Sequence, residues 1–322
     1  DVETAQASVD DLAGRAFRAA ISGGTFTVSP GELNTLLIDR LPADEAADCA
    51  AFGRCGGCVY RHLSYEAELR VKEQRVADAL ERVGGVKLDW PPVLGAERPE
   101  RYRNKVQFPV QEQNGKPAAG FFAGKTHTVI PVAHCRIQPD CADRIRAAVL
   151  DWMRKYSIRA YDEAAHTGYI RHIYIRFGTE SGQILVCITA NTQQLPKKKQ
   201  LVQTLLAAEP GITTIVFSPN TKKGNTVLGT EFLPLYGDGT ITDTLCGLQF
   251  RLSAPAFYQV NHAQAERLYE KAAALAGLTG EETVLEVLSV MLKSNSTSRI
   301  FFGSYSICAP LLPAILKTRL LS

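Results

Sequence analysis

Cys49, Cys55 and Cys58 fall within one ten-residue loop, Cys49-Ala-Ala-Phe-Gly-Arg-Cys55-Gly-Gly-Cys58. Cys135 follows far downstream, in His134-Cys135-Arg136-Ile137-Gln138. Thiolates are soft ligands suited to iron–sulfur clusters and to zinc. The Gly56-Gly57 pair lets such a loop wrap closely and turn backbone N–H groups toward inorganic sulfide. Three thiols on one loop and a fourth brought in by the fold therefore point first to a cluster. Zinc is the main rival, although structural zinc sites usually pair two short cysteine hooks. Here the fourth thiol stands apart, beside His134 and six residues before Cys141. Unligated thiols are the third reading. Eight cysteines in 322 residues is not a disulfide framework, and metal thiolates suit a reducing cytoplasm, which is the expected location.

A second group of residues could hold a polyanion. Arg101, Arg103 and Lys105 alternate with Tyr102 at a strand entrance, and Arg171 and His172 open another strand. Cations there could bind phosphates, while Tyr102, Phe121 or Phe122 could stack on an unpaired base. The plainer reading is a solvated basic edge over core aromatics. Lys197–Lys199 and Lys222-Lys223 read as solvated surface, Cys187 as core within an apolar strand, and Cys246, before Gly247, as turn or core. A formal net charge of +3 permits a nucleic-acid partner without arguing for one. Hydrophobic content of 45% and charged content of 21% are those of a folded chain long enough for two or three domains. No apolar run reaches the roughly 20 residues of a membrane helix. The chain starts at Asp1 without a basic and apolar leader, so no signal peptide is expected.

The elements that must position these residues follow from periodicity. Residues 1–48 carry weak signals only, a helix over Val9–Ala20 and a short strand over Thr25–Val28. The cysteine loop leads into a helix capped by Ser64, with Glu66 and Glu68 at its positive end and an apolar stripe at Leu69, Val76, Leu80 and Val83. Gly84-Gly85 end it, and Pro91-Pro92 mark a linker. From about residue 100 the pattern turns to strands: Val106–Val110 and His172–Phe177 alternate, Gln183–Ala190 and Gly211–Ser218 read as more buried, and Leu248–Ser253 as another. Helices at about 141–155 and 197–208 separate some of them. The sum is an α+β domain with a largely antiparallel sheet. A second helix begins after Asn261, which has capping-box spacing to Gln264, carries Leu268, Ala272 and Leu275 on one face, and closes at Gly277. Thr283–Leu288 then reads as a buried strand, the opening of a parallel α/β sheet. Residues 287–322 contain no Asp or Glu, although the chain holds 33, and they carry seven serines and a single glycine, Gly303. That shift suggests a wrong reading frame or an unrelated junction, against a genuine basic, apolar tail.

Taken in order, Cys-x5-Cys-Gly-Gly-Cys, Tyr102-Arg-Asn-Lys105, Cys135-x-x-Gln138 and Phe257-Tyr-Gln-Val-Asn261-x-x-Gln264-Ala-Glu266 resemble the RNA 5-methyluridine methyltransferases. The closer likeness is to the cluster-bearing branch that methylates uridine in 23S ribosomal RNA. Gly168-x-Ile-Arg-His172, Asn225-x-Val-Leu-Gly229 and Ala254-Pro-Ala-Phe257 are further echoes. The match covers about residues 49–286; the transfer-RNA branch resembles this chain less, because it lacks the cluster. The resemblance implies a [4Fe-4S] cluster on Cys49, Cys55, Cys58 and Cys135, S-adenosylmethionine contacted by Gln259, 23S ribosomal RNA as partner and a monomer without membrane association. It also implies a mechanism in which a cysteine thiolate adds to C6 of uracil and makes C5 nucleophilic enough to take the methyl group. A carboxylate base then removes the C5 proton and the thiolate leaves.

The departures matter equally. After the strand at 283–288 the family carries an acid, for which Glu286 could stand, and then a glycine-rich cofactor turn; Leu288–Lys293 has no glycine. The Asp-Pro-Pro-Arg loop before the nucleophile and the terminal Glu base have no counterpart, and Cys308 has the wrong surroundings. No catalytic residue is therefore assigned. Residues 1–48 make no convincing TRAM barrel. The expected organisation is an N-terminal segment (1–48), the iron–sulfur loop and helix (49–92), an α+β central RNA-binding domain (93–253), an incomplete start of an α/β Rossmann-like methyltransferase domain (254–288) and an aberrant tail (289–322). The chain would derive from a C-terminally truncated or frameshifted methyltransferase, inactive alone, with the region after about 255 poorly ordered. Its rivals are a non-catalytic RNA-binding iron–sulfur protein and a zinc-ribbon nucleic-acid module.

Overall fold

The computed structural model describes residues 48–87 and 92–277. The elements expected at 9–20, 25–28 and 283–288, the acid-free tail, Glu286 and Cys308 lie outside the described residues. The chain divides into two units, 1–95 and 96–322.

In the first unit the cysteine loop is a run of tight turns, with Phe52 N donating to Cys49 O (3.0 Å) and Cys55 N to Ala51 O (2.8 Å). Arg61 then grips Asp48 with two bonds of 2.7 Å. Helix α1 (Tyr65–Asp78) starts where Ser64 accepts from Ala67 N (3.3 Å), and Glu66 and Glu68 sit in its first turn. A π-helical turn, Ala79–Val83, extends it to Gly84. The expected apolar stripe is not a buried face: in α1 Ala67 is buried, whereas Val76 is 50% exposed and Leu80 beyond it 37% exposed. Periodicity tells which side chains share a face, not whether anything covers that face.

The second unit is built on a sheet whose order is β3-β2-β1-β4-β5-β6-β7 among the described residues. Its strands are β1 (Lys105–Gln113), β2 (Lys116–Phe122), β3 (Val129–Pro131), β4 (Ile170–Phe177), β5 (Ile184–Ala190), β6 (Ile212–Pro219) and β7 (Leu233–Tyr236). All neighbours are antiparallel except β5 and β6, which are parallel. A parallel pair needs a crossover, and helix α3 (Lys198–Ala208) supplies it. Helix α2 (Asp140–Lys155) buries Ala142, Ile145, Val149, Trp152 and Met153, spaced three and four apart, against the same face of the sheet. The core there takes alternate residues from the strands, among them Phe108, Ile173, Ile175, Val186 and Ile188.

The opposite face carries a second core. Tyr174, Leu185, Cys187 and Val216 point into it from the sheet. The hairpin β8 (Thr240–Leu245) and β9 (Leu248–Ser253) covers it, closed by Cys246 and Gly247 at φ 49° and 77°. Positive φ at both central residues is the twist-matched hairpin turn, so Cys246 is a turn residue. Helix α4 (His262–Ala276) also packs there: Asn261 accepts from Gln264 N (3.2 Å), Gly277 ends the helix at φ 58°, and Ala265 and Tyr269 join the second core. The region after residue 255 thus departs from the expectation of poor order as far as Gly277. Ala254, Tyr258, Ala265 and Tyr269 share one core with the sheet. The face with Leu268 and Leu275 is the uncovered one, at 61% and 76% exposure.

Candidate functional site

The cysteines divide between the two units, Cys49, Cys55 and Cys58 in the first and Cys135 in the second. All four are partly exposed. Burial and the nearby Cys49 push the Cys55 thiol above its ordinary pKa, against a lowering bond from the Gly57 backbone. A Cβ at Gly57 would stand 3.3 Å from Cys55 Sγ, so glycine keeps space at the sulfur. The donor chemistry and the open loop suit a soft metal group. The geometry is not a closed ligand set: among the described residues no three of His, Cys, Asp and Glu converge to hold a metal ion. Cys135 is positioned from α2, whose Asp143 accepts from its backbone N–H (3.2 Å) and lies 3.1 Å from His134 Nδ1. Cys187 is fully buried and its thiol is pushed up to about 12, so it is core and no nucleophile.

Three separated segments meet at one end of β1 and β4. Arg101 N donates to Arg136 O (2.9 Å) and Arg103 N to Ile137 O (3.0 Å), which ties Tyr102–Lys105 to Cys135–Gln138. Asn104 N donates to Val260 O (2.9 Å) and Asn104 Nδ2 to Gln259 O (2.8 Å), which ties the same stretch to Phe257–Asn261. Asn104 is buried at 3% exposure and its own carbonyl accepts from Phe177 N (2.8 Å). Gln259 Nε2 reaches Tyr269 Oη (3.4 Å). An open cleft of about 960 Å³ runs beside this junction, lined by residues 96–104, the turn after β4 and the first turns of α4.

Two buried polar residues that the motifs did not single out hold this arrangement. Arg176 is 1% exposed and bonds Tyr174 Oη (2.7 Å) and the carbonyls of Ala254 and Ala256, fixing the stretch before Gln259. Asp243 accepts from the N–H groups of Thr179, Glu180 and Ser181 and from Tyr258 Oη (3.0 Å). Alternation along His172–Phe177 put Arg176 and Tyr174 on one face, but only the fold shows what that face meets.

The basic residues separate. Arg101 is exposed and pairs with Asp140, whose carboxyl Arg101 holds below the usual range. Arg103 is half-buried, and Lys105 is lowered by burial and then by Arg176 and Arg103. Arg171 does not stand with them. It lies at the far end of β4 with 4% exposure, and its guanidinium donates to Asn220 O (2.9 Å), Lys222 O (2.7 Å) and Gly224 O (2.7 Å). It stacks on Tyr161 with its charge centre 4.5 Å from the ring. Its role in this structure is to shape the 220–224 loop rather than to offer a solvent-facing cation. Of the aromatics, Phe121 packs on Phe108 (5.3 Å) in the first core, whereas Phe122 is 37% exposed. Lys197–Lys199, Lys222 and Lys223 are exposed. Two motif glycines are explained by close approach: a Cβ at Gly168 would meet Ala160 O at 2.0 Å, and one at Gly229 would meet Pro219 O at 1.9 Å.

No helix among the described residues is long and apolar enough to cross a membrane, and no family model matches the chain. An uncharacterized RNA methyltransferase of Halalkalibacterium halodurans is 39% identical over 251 residues, covering 78% of this chain and 55% of that protein. One of Clostridium tetani is 39% identical over 238 residues, 74% and 52% respectively. Among solved structures, the crystal structure of Pyrococcus abyssi tRNA (uracil-54, C5)-methyltransferase in complex with S-adenosyl-L-homocysteine matches with a TM-score of 0.56 at 19% identity, over 69% of this chain and 50% of that one. That last likeness is one of fold, a mixed α/β architecture around a sheet. The chain spans about half the length of the curated relatives it matches. By sequence, then, it is similar to proteins named as uncharacterized RNA methyltransferases over roughly three quarters of its own length and half of theirs.

Proposed function

We propose that this chain is the cluster-bearing, RNA-holding part of an S-adenosylmethionine-dependent enzyme that methylates C5 of a uridine in 23S ribosomal RNA. The observation that carries the reading is the junction around Asn104, where Tyr102–Lys105, Cys135–Gln138 and Phe257–Asn261 are bonded into one structure although they are spread over 160 residues of sequence (102–261). Arg101 and Arg103 border the cleft beside that junction and would meet phosphate there, Arg101 in exchange for Asp140. Gln259, whose backbone carbonyl is held by Asn104, would contact the cofactor. The relatives named RNA methyltransferases support the chemistry class, and the fold likeness to a uracil C5 methyltransferase supports the position methylated. Reaching C5 requires that the base leave its stack.

Cys49, Cys55, Cys58 and Cys135 would hold a [4Fe-4S] cluster. When bound, the cluster would supply a covalent tie between segments distant in sequence. Cys187 and Cys246 are not offered as the nucleophile: Cys187 is inert core, and Cys246 is a hairpin turn with its N–H on Glu266 (2.7 Å). Because the sequence has no counterpart of the glycine-rich cofactor turn, the Asp-Pro-Pro-Arg loop or the terminal Glu base, these 322 residues are expected to bind RNA without methylating it. The test incubates the anaerobically reconstituted chain with labelled S-adenosylmethionine and unmodified 23S RNA, with iron and sulfide assayed on the same sample. The expected result is iron with inorganic sulfide, salt-dependent RNA binding and no methyl transfer. Zinc in place of iron would overturn the cluster, and labelled 5-methyluridine would overturn the inactivity.

A further inference from the structure

At the end of β4 opposite the Asn104 junction lies a separate cavity of about 350 Å³. The two sites are roughly 20 Å apart, at about 3.3 Å of strand per residue. The segments Gly168–His172 and Asn225–Gly229, which stand apart in sequence, both border it. Arg171 fastens them by taking the carbonyls of Asn220, Lys222 and Gly224.

The walls have a consistent chemistry. Phe122 and His127 stack at 5.3 Å with 25° between their planes, and Glu163 holds the His127 ring at 2.8 Å. Phe122, which lines the cavity, keeps 37% of its surface open, so aromatic surface is available to an occupant. On another wall the Arg171 guanidinium sits over the Tyr161 ring. Two adjacent wall residues each carry a buried nitrogen without a hydrogen-bond partner, Arg171 Nε and His172 Nδ1. Leaving such groups unpaired costs free energy, which a polar molecule would recover only where the wall opened to expose them. His172 stays a neutral imidazole at physiological pH, because burial and then the adjacent Arg171 lower its pKa to about 4.

The volume is at the lower end of small-molecule sites, about 300–1,000 Å³, which suits one heterocycle rather than a stacked run. The charge argues against a phosphate occupant. The Arg171 cation is already committed to three carbonyls, whereas the carboxylates of Glu112, Asp162 and Glu163 line the cavity. A neutral ring that stacks on one face and both accepts and donates at its edge fits better than any anion. We propose that this cavity is a binding pocket for a single unpaired RNA base, distinct from the base that is methylated, which anchors the strand on the β2–β4 side of the sheet. The proposal rests on the reading of the chain as an RNA binder.

The test uses the full chain and its Phe122→Ala and His127→Ala variants, checked for unchanged thermal unfolding. Free nucleosides are titrated by saturation-transfer NMR. Fluorescent single-stranded RNA and an abasic oligomer of equal length are titrated by anisotropy. The native chain is expected to saturate with at least one nucleoside, and both variants to lose that saturation. Removing the stacking face should weaken base-bearing RNA by roughly five- to hundredfold and leave the abasic oligomer unchanged. If nucleoside binds and Phe122→Ala abolishes it, but no RNA binds, the pocket stands and the RNA-holding reading falls. If RNA binds but neither nucleoside affinity nor base dependence responds to Phe122→Ala and His127→Ala, the pocket is overturned and the RNA-holding reading stands. Absence of both kinds of binding overturns both.

Discussion

Single residues in this chain do work that their type alone does not announce. Arg171 belongs by type with Arg101 and Arg103, yet it is buried and spends its donors on three backbone carbonyls. His172 beside it is half-buried, with Nδ1 fully buried. Its pKa is about 4 in the folded chain, below the ordinary 6.5. Between those values the unfolded imidazole takes a proton that the folded one refuses. Stability from this group is therefore full above about pH 6.5 and is lost as pH falls toward 4, by up to about 3 kcal/mol. His172→Leu is expected to flatten that part of the stability profile. Urea unfolding of both chains at pH 7 and pH 4.5 checks it: the gap between the two pH values should shrink in the variant, and an unchanged gap would place the dependence on other groups.

At the scale of elements, the strand entrance 101–104 is a splice between three parts of the chain. Asn104 supplies its side chain to Gln259 O, its N–H to Val260 O and its carbonyl to Phe177 N. Asn104→Ala keeps the two backbone bonds and removes the side-chain one, leaving the carbonyl of half-buried Gln259 short of a donor. The expected loss is about 1–3 kcal/mol, with faster amide exchange concentrated in residues 257–262 and little change in β5 and β6. Hydrogen-exchange mass spectrometry reads this, and uniform acceleration across the sheet would show that Asn104 serves general stability instead. The elements themselves were largely readable. The strands at 105–113, 170–177, 184–190, 212–219 and 248–253 lie where alternation or apolar runs placed them, and α2 and α3 lie where their periodicity did. The exposed face of α1 and the uncovered Leu268 and Leu275 of α4 were not readable, because a stripe specifies a face and not its partner.

At the scale of the molecule, both hydrophobic cores described here are built from residues 106–269, within the second unit. They use opposite faces of one sheet, and α4 closes the second. Residues 96–277 expressed alone are therefore expected to unfold in one cooperative transition. Circular dichroism during thermal or urea unfolding checks this. A broad, non-cooperative melt would mean that the first unit is needed to complete a core. The same fragment carries Cys135 but not Cys49, Cys55 or Cys58, so it should hold no cluster after reconstitution.

The sequence by itself determined the motifs, their order and the class of protein to which they are similar. Residue identity and spacing carry that information, and it survives without any knowledge of contacts. It also set most strand and helix positions, since side-chain alternation and helical period are local. Tertiary structure alone decided which motifs meet. Tyr102–Lys105, Cys135–Gln138 and Phe257–Asn261 share one junction, while Gly168–His172 and Asn225–Gly229 share another at the far end of β4. It also decided which arginines are buried and which face solvent. These are long-range matters: the partners are backbone carbonyls and N–H groups that every residue possesses, so no residue type in the sequence marks them in advance.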